Sequence, residues 1–329
     1  MARAWHLMRR PNGTPVADDF ALKDIALPAL ADGQVRIANS WLSVDPYMRG
    51  RMNDVKSYAA PFGLDEPMTG GAVGDVVESK ADGIAVGDKV LHMAGWRDEA
   101  VLSAKEVQKL PALGLPDQAF LGQFGMPGMT AYFGLLQVAE AKEGETVFVS
   151  AAAGAVGSTV VQIAKAKGMT VIGSAGGANK CDWVRSLGAD HVIDYKAEGS
   201  LVRALLAAAP QGIDVYFDNV GGDHLDAAFA TARENARFAI CGMIDIYNDG
   251  KPTSLRYIAR TIAARIRIQG FLVSDHMSKS ADFYRDMAAW QAAGKLQREE
   301  TVFDGLESAP DAFLGLFTGG NKGKMLVKT

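Results

Sequence analysis

Cysteine is nearly absent from this chain of 329 residues, which holds only Cys181 and Cys241. Two thiols without a CxxC spacing exclude a disulfide framework and a four-thiolate zinc site. Both read as small buried or half-buried residues. Histidine is scarce too: His6, His92, His191, His224 and His276 are scattered, with no pair at metal-ligand spacing. None of them is assigned a catalytic role. No apolar run approaches the roughly 18 residues that span a bilayer, and the start from Met1 to Pro11 lacks the apolar core of a secretion signal. A cytoplasmic protein is expected. No basic stripe is present either, and charges of both signs are interspersed to a net −4. That distribution argues against nucleic acid as a partner. With 48% hydrophobic and 22% charged residues, the chain can fill a sizeable core without disulfides or metal.

Up to about residue 118 the chain reads as short β segments punctuated by Gly and Pro, for example residues 34–38, 71–78 and 88–93. Such a pattern suits a small, partly closed β-barrel. From Thr146 onward, strand-like runs alternate with helix-length segments, which signals βαβ units around a parallel sheet. Strands are expected at residues 146–150, 170–174, 191–195, 213–219, 237–243 and 265–273. Between the first two, Val156, Val160, Ile163 and Ala164 recur at helical spacing, giving a helix with one buried face. Six strands with intervening helices make one doubly wound nucleotide-binding domain. A last apolar strand at 324–327 is expected to return to the first domain. The expected class is therefore α/β. Residues 1–118 and 296–329 would form the substrate domain, and 119–295 the dinucleotide-binding domain.

The first strand of the second region runs into Ala151-Ala152-Ala153-Gly154-Ala155-Val156-Gly157, and a helix follows at once. This is a dinucleotide fingerprint with Ala152 in place of the first glycine. Gly154 lets the backbone approach a pyrophosphate, and Gly157 lets the helix pack closely on the strand. The helix N-terminus adds free N–H groups and a positive dipole end. NAD sites carry an Asp or Glu about 20 residues past the glycines. Here Val171-Ile172-Gly173-Ser174-Ala175-Gly176-Gly177 ends without an acid, and Lys180 follows. Small residues leave room for a 2′-phosphate that a lysine can neutralise, so NADPH is the expected coenzyme.

Several separated segments carry a family resemblance: Val44-Asp45-Pro46-Tyr47-Met48-Arg49-Gly50-Arg51-Met52, Met126-Pro127-Gly128-Met129-Thr130-Ala131-Tyr132-Phe133-Gly134, and the glycine turn itself. Phe217-Asp218-Asn219-Val220-Gly221-Gly222, Cys241-Gly242-Met243 with Tyr247-Asn248, and Asn321-Lys322-Gly323-Lys324 complete the set. In that order they resemble the medium-chain dehydrogenase/reductase superfamily, and within it the zinc-free leukotriene B4 dehydrogenase/prostaglandin reductase group with its curcumin reductase and alkenal reductase relatives. The resemblance implies a GroES-like barrel ahead of a Rossmann domain. It implies cofactor contacts from Gly154, Ala155, Val156 and Gly157 to the pyrophosphate, from Lys180 to the 2′-phosphate, and from Tyr195 near the adenosine. Asn219, Cys241, Gly242, Met243, Tyr247, Phe271, Leu272, Val273 and Asn321 would line the rest. Ile244 to Ile246 depart from the relatives.

Zinc alcohol dehydrogenases of the same superfamily place a cysteine in the loop that here reads Ser43-Val44-Asp45-Pro46-Tyr47, and a Gly-His-Glu where this chain has Met68-Thr69-Gly70-Gly71. Asp45 alone cannot hold a catalytic zinc, which needs three protein ligands. Instead it is expected to brace its loop through backbone hydrogen bonds. Hydride transfer without a metal suits an enone or enal, whose carbonyl oxygen gathers negative charge as hydride adds at the β-carbon. Tyr247 is the candidate partner of that oxygen, and Tyr47 the second catalytic candidate. Met126, Met129 and Leu272, with Tyr47, are candidate substrate-pocket walls. The alternatives are a quinone reductase and a crystallin-like NADPH-binding protein. Within residues 265–273, Ile266 and Ile268 alternate with Arg265, Arg267 and Gln269, so an outer strand is expected whose open edge invites pairing with a second copy; the resemblance implies a homodimer joined through that edge.

Overall fold

In the early part of the chain, strands β1 (Ala2–Leu7), β2 (Phe20–Ile25), β3 (Gln34–Ser43), β4 (Ala72–Ser79), β5 (Lys89–His92), β6 (Glu99–Ser103) and β7 (Gln108–Lys109) follow one another, with the short α-helix α1 (Tyr47–Arg51) and two 3-10 turns, Ala17–Asp19 and Ala104–Glu106, among them. This is a computed structural model that describes residues 1–248, 250 and 252–329. It divides into two units, Met1–Gly122 with Glu300–Thr329, and Gln123–Glu299.

Strand β3 organises the first unit. It runs on past the expected stop at residue 38, with register shifts between Arg36 and Ile37 and between Asn39 and Trp41. Such irregularities bend a strand and sharpen its twist, and β3 accordingly has different partners along its length. One edge pairs with β4, while the other pairs with β6 from Gln34 to Ala38 and with the final strand from Trp41 to Ser43. Val35 and Ile37 pack with Val76 and Val90 in a small buried cluster.

The second unit carries α2 (Met126–Phe133), then β8 (Thr146–Val149), α3 (Ala155–Ala166), β9 (Thr170–Ala175), α4 (Ala178–Ser186), β10 (His191–Asp194), α5 (Leu201–Ala208), β11 (Ile213–Asp218), α6 (Gly222–Thr231), β12 (Ala232–Ile240), α7 (Arg260–Ala263), β13 (Arg267–Gly270) and α8 (Ser280–Ala292). Its six strands are all parallel, in the order β10-β9-β8-β11-β12-β13. That is the doubly wound arrangement, with the order reversing at β8. Phe148, Tyr216 and Phe238 pack ring on ring across its core, at 5.2 and 5.4 Å.

Two expected strands are shorter or shifted. β12 starts at Ala232 and stops at Ile240, because the carbonyl of Asp218 accepts both Cys241 N and Gly242 N and draws the chain out of the ladder. β13 keeps only Arg267–Gly270: Arg265 enters at φ +50°, and Phe271 leaves to pack edge-on against Phe217. Helix α3 is buried beyond the one expected face, since Ser158, Thr159 and Gln162 are buried as well. Gln162 is tolerated there because its amide bonds the backbone of Gln297 in both directions.

The chain re-enters the first unit through β14 (Glu300–Asp304), α9 (Ala309–Phe317) and β15 (Lys324–Lys328). Phe313 of α9 packs against Phe20 and Trp96 in that unit's main core. Among the described residues no helix is long and apolar enough to cross a membrane. The class is α/β: a β-sheet unit and a parallel-sheet Rossmann unit.

Candidate functional site

The turn after β8 has the shape a dinucleotide needs. Ala151 sits at φ +47°, Gly154 N donates to Ala151 O at 2.9 Å, and Ala152 N donates across to Ser174 O of β9 at 2.8 Å. A Cβ on Gly157 would stand 2.3 Å from Ala151 O, so only glycine lets α3 approach the turn. Ala155, Val156 and Gly157 form the first turn of α3, where N–H groups lack intrahelical acceptors and the helix dipole is positive. Donors arranged in this way could hold a pyrophosphate.

The remaining expected contacts in this unit come from the carboxyl ends of neighbouring strands, where ligands of open α/β sheets gather. Beyond β9 the chain runs Ala175-Gly176-Gly177 without an acid, and Lys180 rises half-buried from α4. Burial, and then the charge of Lys196, lower the pKa of its ammonium. Tyr195 lies just past β10, edge-on to His224 at 5.2 Å. Asn219, just past β11, donates its side-chain amide to Ser150 O at 2.8 Å, and its backbone N–H to Ser150 Oγ at 2.8 Å.

Past β12, the Cys241 thiol is pushed up to about 12 by burial and by the nearby Asp218 charge, which keeps it protonated at neutral pH. Tyr247 folds back so that its hydroxyl would lie 3.5 Å from a Cβ on Gly242. Ile244 to Ile246 make a short turn in which Asp245 N bonds Val220 O at 3.1 Å. Leu272 is exposed and Phe271 and Val273 are half-buried past β13; in α2, Met126 is exposed and Met129 is buried.

In the first unit, Tyr47 opens α1 half-buried, and burial followed by the charge of Asp45 raises its phenol pKa, so it stays a hydrogen-bond donor. Asn321 donates its amide to Gly323 O at 3.0 Å. The role expected for Asp45 is corrected here. Its carboxylate takes the Lys324 ammonium at 3.0 Å and the Ser43 hydroxyl, rather than backbone N–H groups. Lys324 also reaches Val44 O at 2.8 Å and Met325 O at 2.9 Å. A lone carboxylate buried at this point needs a cation, and the nearest one arrives from the far end of the chain.

Sequence reasoning also missed Asp218, which lay inside a quoted motif. Its Oδ1 accepts from Tyr216 Oη at 2.6 Å, Val220 N at 2.9 Å and Gly221 N at 2.8 Å, holding the turn that carries Asn219. The signal available was an acid directly before a glycine turn, a common loop-bracing arrangement. Among the described residues no group of three His, Cys, Asp or Glu side chains could hold a metal ion.

Two family models match the chain: an N-terminal domain of oxidoreductases over residues 3–110, and a zinc-binding dehydrogenase domain over residues 155–292. The chain is 42% identical to prostaglandin reductase 1 of Bos taurus, over 99% of each chain. It is 41% identical to the NADPH-dependent curcumin reductase of Escherichia coli, over 99% of this chain and 96% of that one. Among solved structures, CurA of Vibrio vulnificus in complex with NADPH superposes with a TM-score of 0.94 at 43% identity, over 99% of each chain.

Proposed function

Since the chain belongs to the medium-chain dehydrogenase/reductase superfamily, in its zinc-free group of prostaglandin, curcumin and alkenal reductases, we propose that it is an NADPH-dependent reductase of the carbon–carbon double bond in α,β-unsaturated aldehydes and ketones. NADPH supplies the hydride when bound. The fit of this chain to that coenzyme rests on the close glycine turn at Gly154 to Gly157, on the lack of an acid after β9, and on Lys180.

In the proposed reaction, hydride adds to the β-carbon of the enone and the π electrons move to the carbonyl oxygen. The resulting enolate then takes a proton at the α-carbon from solvent. Tyr247 donates a hydrogen bond to the oxygen as its charge develops, an interaction stronger in the transition state than in the ground state. The observation that carries this role is the placement of the Tyr247 hydroxyl over Gly242, beyond the carboxyl end of β12. Tyr47 is proposed to help bind substrate, and Met126, Met129 and Leu272 are proposed to contribute apolar side chains to it. The partners are thus small unsaturated carbonyl compounds in the cytoplasm.

Steady-state oxidation of NADPH with a panel of 2-alkenals and aryl enones, set against simple quinones, tests the reading. Higher kcat/KM with the enals or enones is expected, and a preference for quinones would overturn the substrate class. Tight NADPH binding with turnover of neither class would overturn the enzymatic reading.

A further inference from the structure

We propose that Lys196 is a second cation for the coenzyme's 2′-phosphate, acting beside Lys180; the inference rests on the NADPH reading above. Lys196 directly follows Tyr195, and its side chain turns back over the end of β9. A Cβ on Gly176 would lie 2.9 Å from Lys196 Cε and 2.8 Å from Tyr195 Oη. The phenol and the lysine stem therefore cover the same glycine, where the chain leaves β9 and where NAD-specific sites place their acid. Lys180 rises from α4, and burial first and then the charge of Lys196 lower its pKa.

The start of the Lys196 side chain is fixed by its neighbour. Asp194 Oδ1 accepts the backbone N–H of Gly177 at 2.9 Å and that of Lys196 at 3.1 Å, tying the end of β10 to the turn before α4. The charge of Lys196 also bears on the Asp194 carboxylate, whose pKa is lowered first by the backbone N–H of Gly177 and then, among other causes, by that charge. Other titratable groups near this space are Tyr195, Asp194, Cys181, whose thiol bonds Ala175 O, and His224, which packs edge-on against Tyr195 at 5.2 Å.

Charge balance explains why one lysine is too few. A phosphate monoester carries about −1.5 to −2 at pH 7, so Lys180 alone leaves much of it uncompensated, whereas two ammonium groups match it. Two like charges held near each other also repel in the free protein, and a bound dianion removes that repulsion. NADH, with only a hydroxyl at this position, relieves nothing. Discrimination between the coenzymes is thereby sharpened from both sides.

Calorimetric titration of the whole protein with adenosine 2′,5′-bisphosphate and with adenosine 5′-monophosphate isolates the 2′-phosphate contact without turnover. Lys196→Met is expected to weaken the bisphosphate roughly five- to ten-fold and to leave the monophosphate unchanged, while Lys196→Arg keeps most of the affinity. Equal weakening of both ligands, or no change in either, would overturn the role of Lys196. Lys180→Met in parallel separates the two assignments. Loss there but not in Lys196→Met retains Lys180 and defeats this inference. Loss in both variants upholds it; loss only in Lys196→Met displaces Lys180 and overturns the pairing, and no loss in either variant defeats both.

Discussion

Lys324 holds its ammonium 3.0 Å from Asp45 Oδ1, with both residues more than nine-tenths buried in the first unit. Burial pulls the lysine pKa down and Asp45 opposes that pull. Taking either charge out of water costs several kcal/mol, which only a close partner and further hydrogen bonds offset. Val44 O and Met325 O supply those bonds. Lys324→Met should therefore leave Asp45 uncompensated and destabilise the protein by about 3–5 kcal/mol. The double variant Lys324→Met with Asp45→Leu should recover much of that loss. Urea unfolding of the two single variants and the double one gives the coupling energy. Strictly additive losses would show that the two residues do not act as a pair.

Tyr247→Phe bears on chemistry. If the hydroxyl stabilises the developing enolate, kcat should fall roughly ten- to a hundred-fold, with NADPH affinity nearly intact. Tyr47→Phe should act mainly on KM. Wild-type kcat in Tyr247→Phe, measured on an enone where hydride transfer limits the rate, would remove Tyr247 from the mechanism.

Strand β13 ends the parallel sheet, pairs with β12 alone among the described residues, and has all four residues exposed. Ile268 on it and Ile262 just before it are exposed apolar side chains, the latter 84% accessible. An edge of this kind invites pairing with a second copy across a two-fold axis. Light scattering at micromolar concentration should report a homodimer, and Ile268→Glu should shift it to monomer. A monomeric wild-type protein would sink the association. A dimer indifferent to Ile268→Glu would place the interface elsewhere.

Acid should weaken the fold through two histidines. Burial lowers the pKa values of His92 and His224 to about 4, and His92 Nδ1 accepts Ala94 N–H at 3.1 Å, which requires a neutral ring. Unfolded histidine titrates near 6.5, so the unfolded chain binds more protons between those values. Stability is full above pH 6.5 and falls as the pH drops towards 4. Each residue should cost up to about 2 kcal/mol between pH 7 and pH 5. His224→Phe keeps a ring against Tyr195 and Phe148 and should flatten the pH dependence by that amount. An unchanged slope in denaturant unfolding would show that His224 is not titrating as described.

The glycine turn and the missing acid after β9 were legible in the residues alone, because strand, turn and helix N-terminus follow one another within a short stretch of chain. Local steric rules act over that range, so Gly157 and Lys180 could be named before any fold was known. Strand ends were less legible. The largely apolar run at residues 237–243 continues past Ile240, yet the strand stops there because a carbonyl of β11 captures the next two N–H groups. The partner of Asp45 was out of reach for a different reason. Lys324 lies 279 residues away, and no local pattern states which buried charge will meet which. Lys196 likewise reads as one more exposed lysine until β10 is laid beside β9 and its side chain comes to rest over Gly176. Nearby residues constrain one another through backbone geometry, whereas buried charges find partners only when the packed chain has left them no water to face.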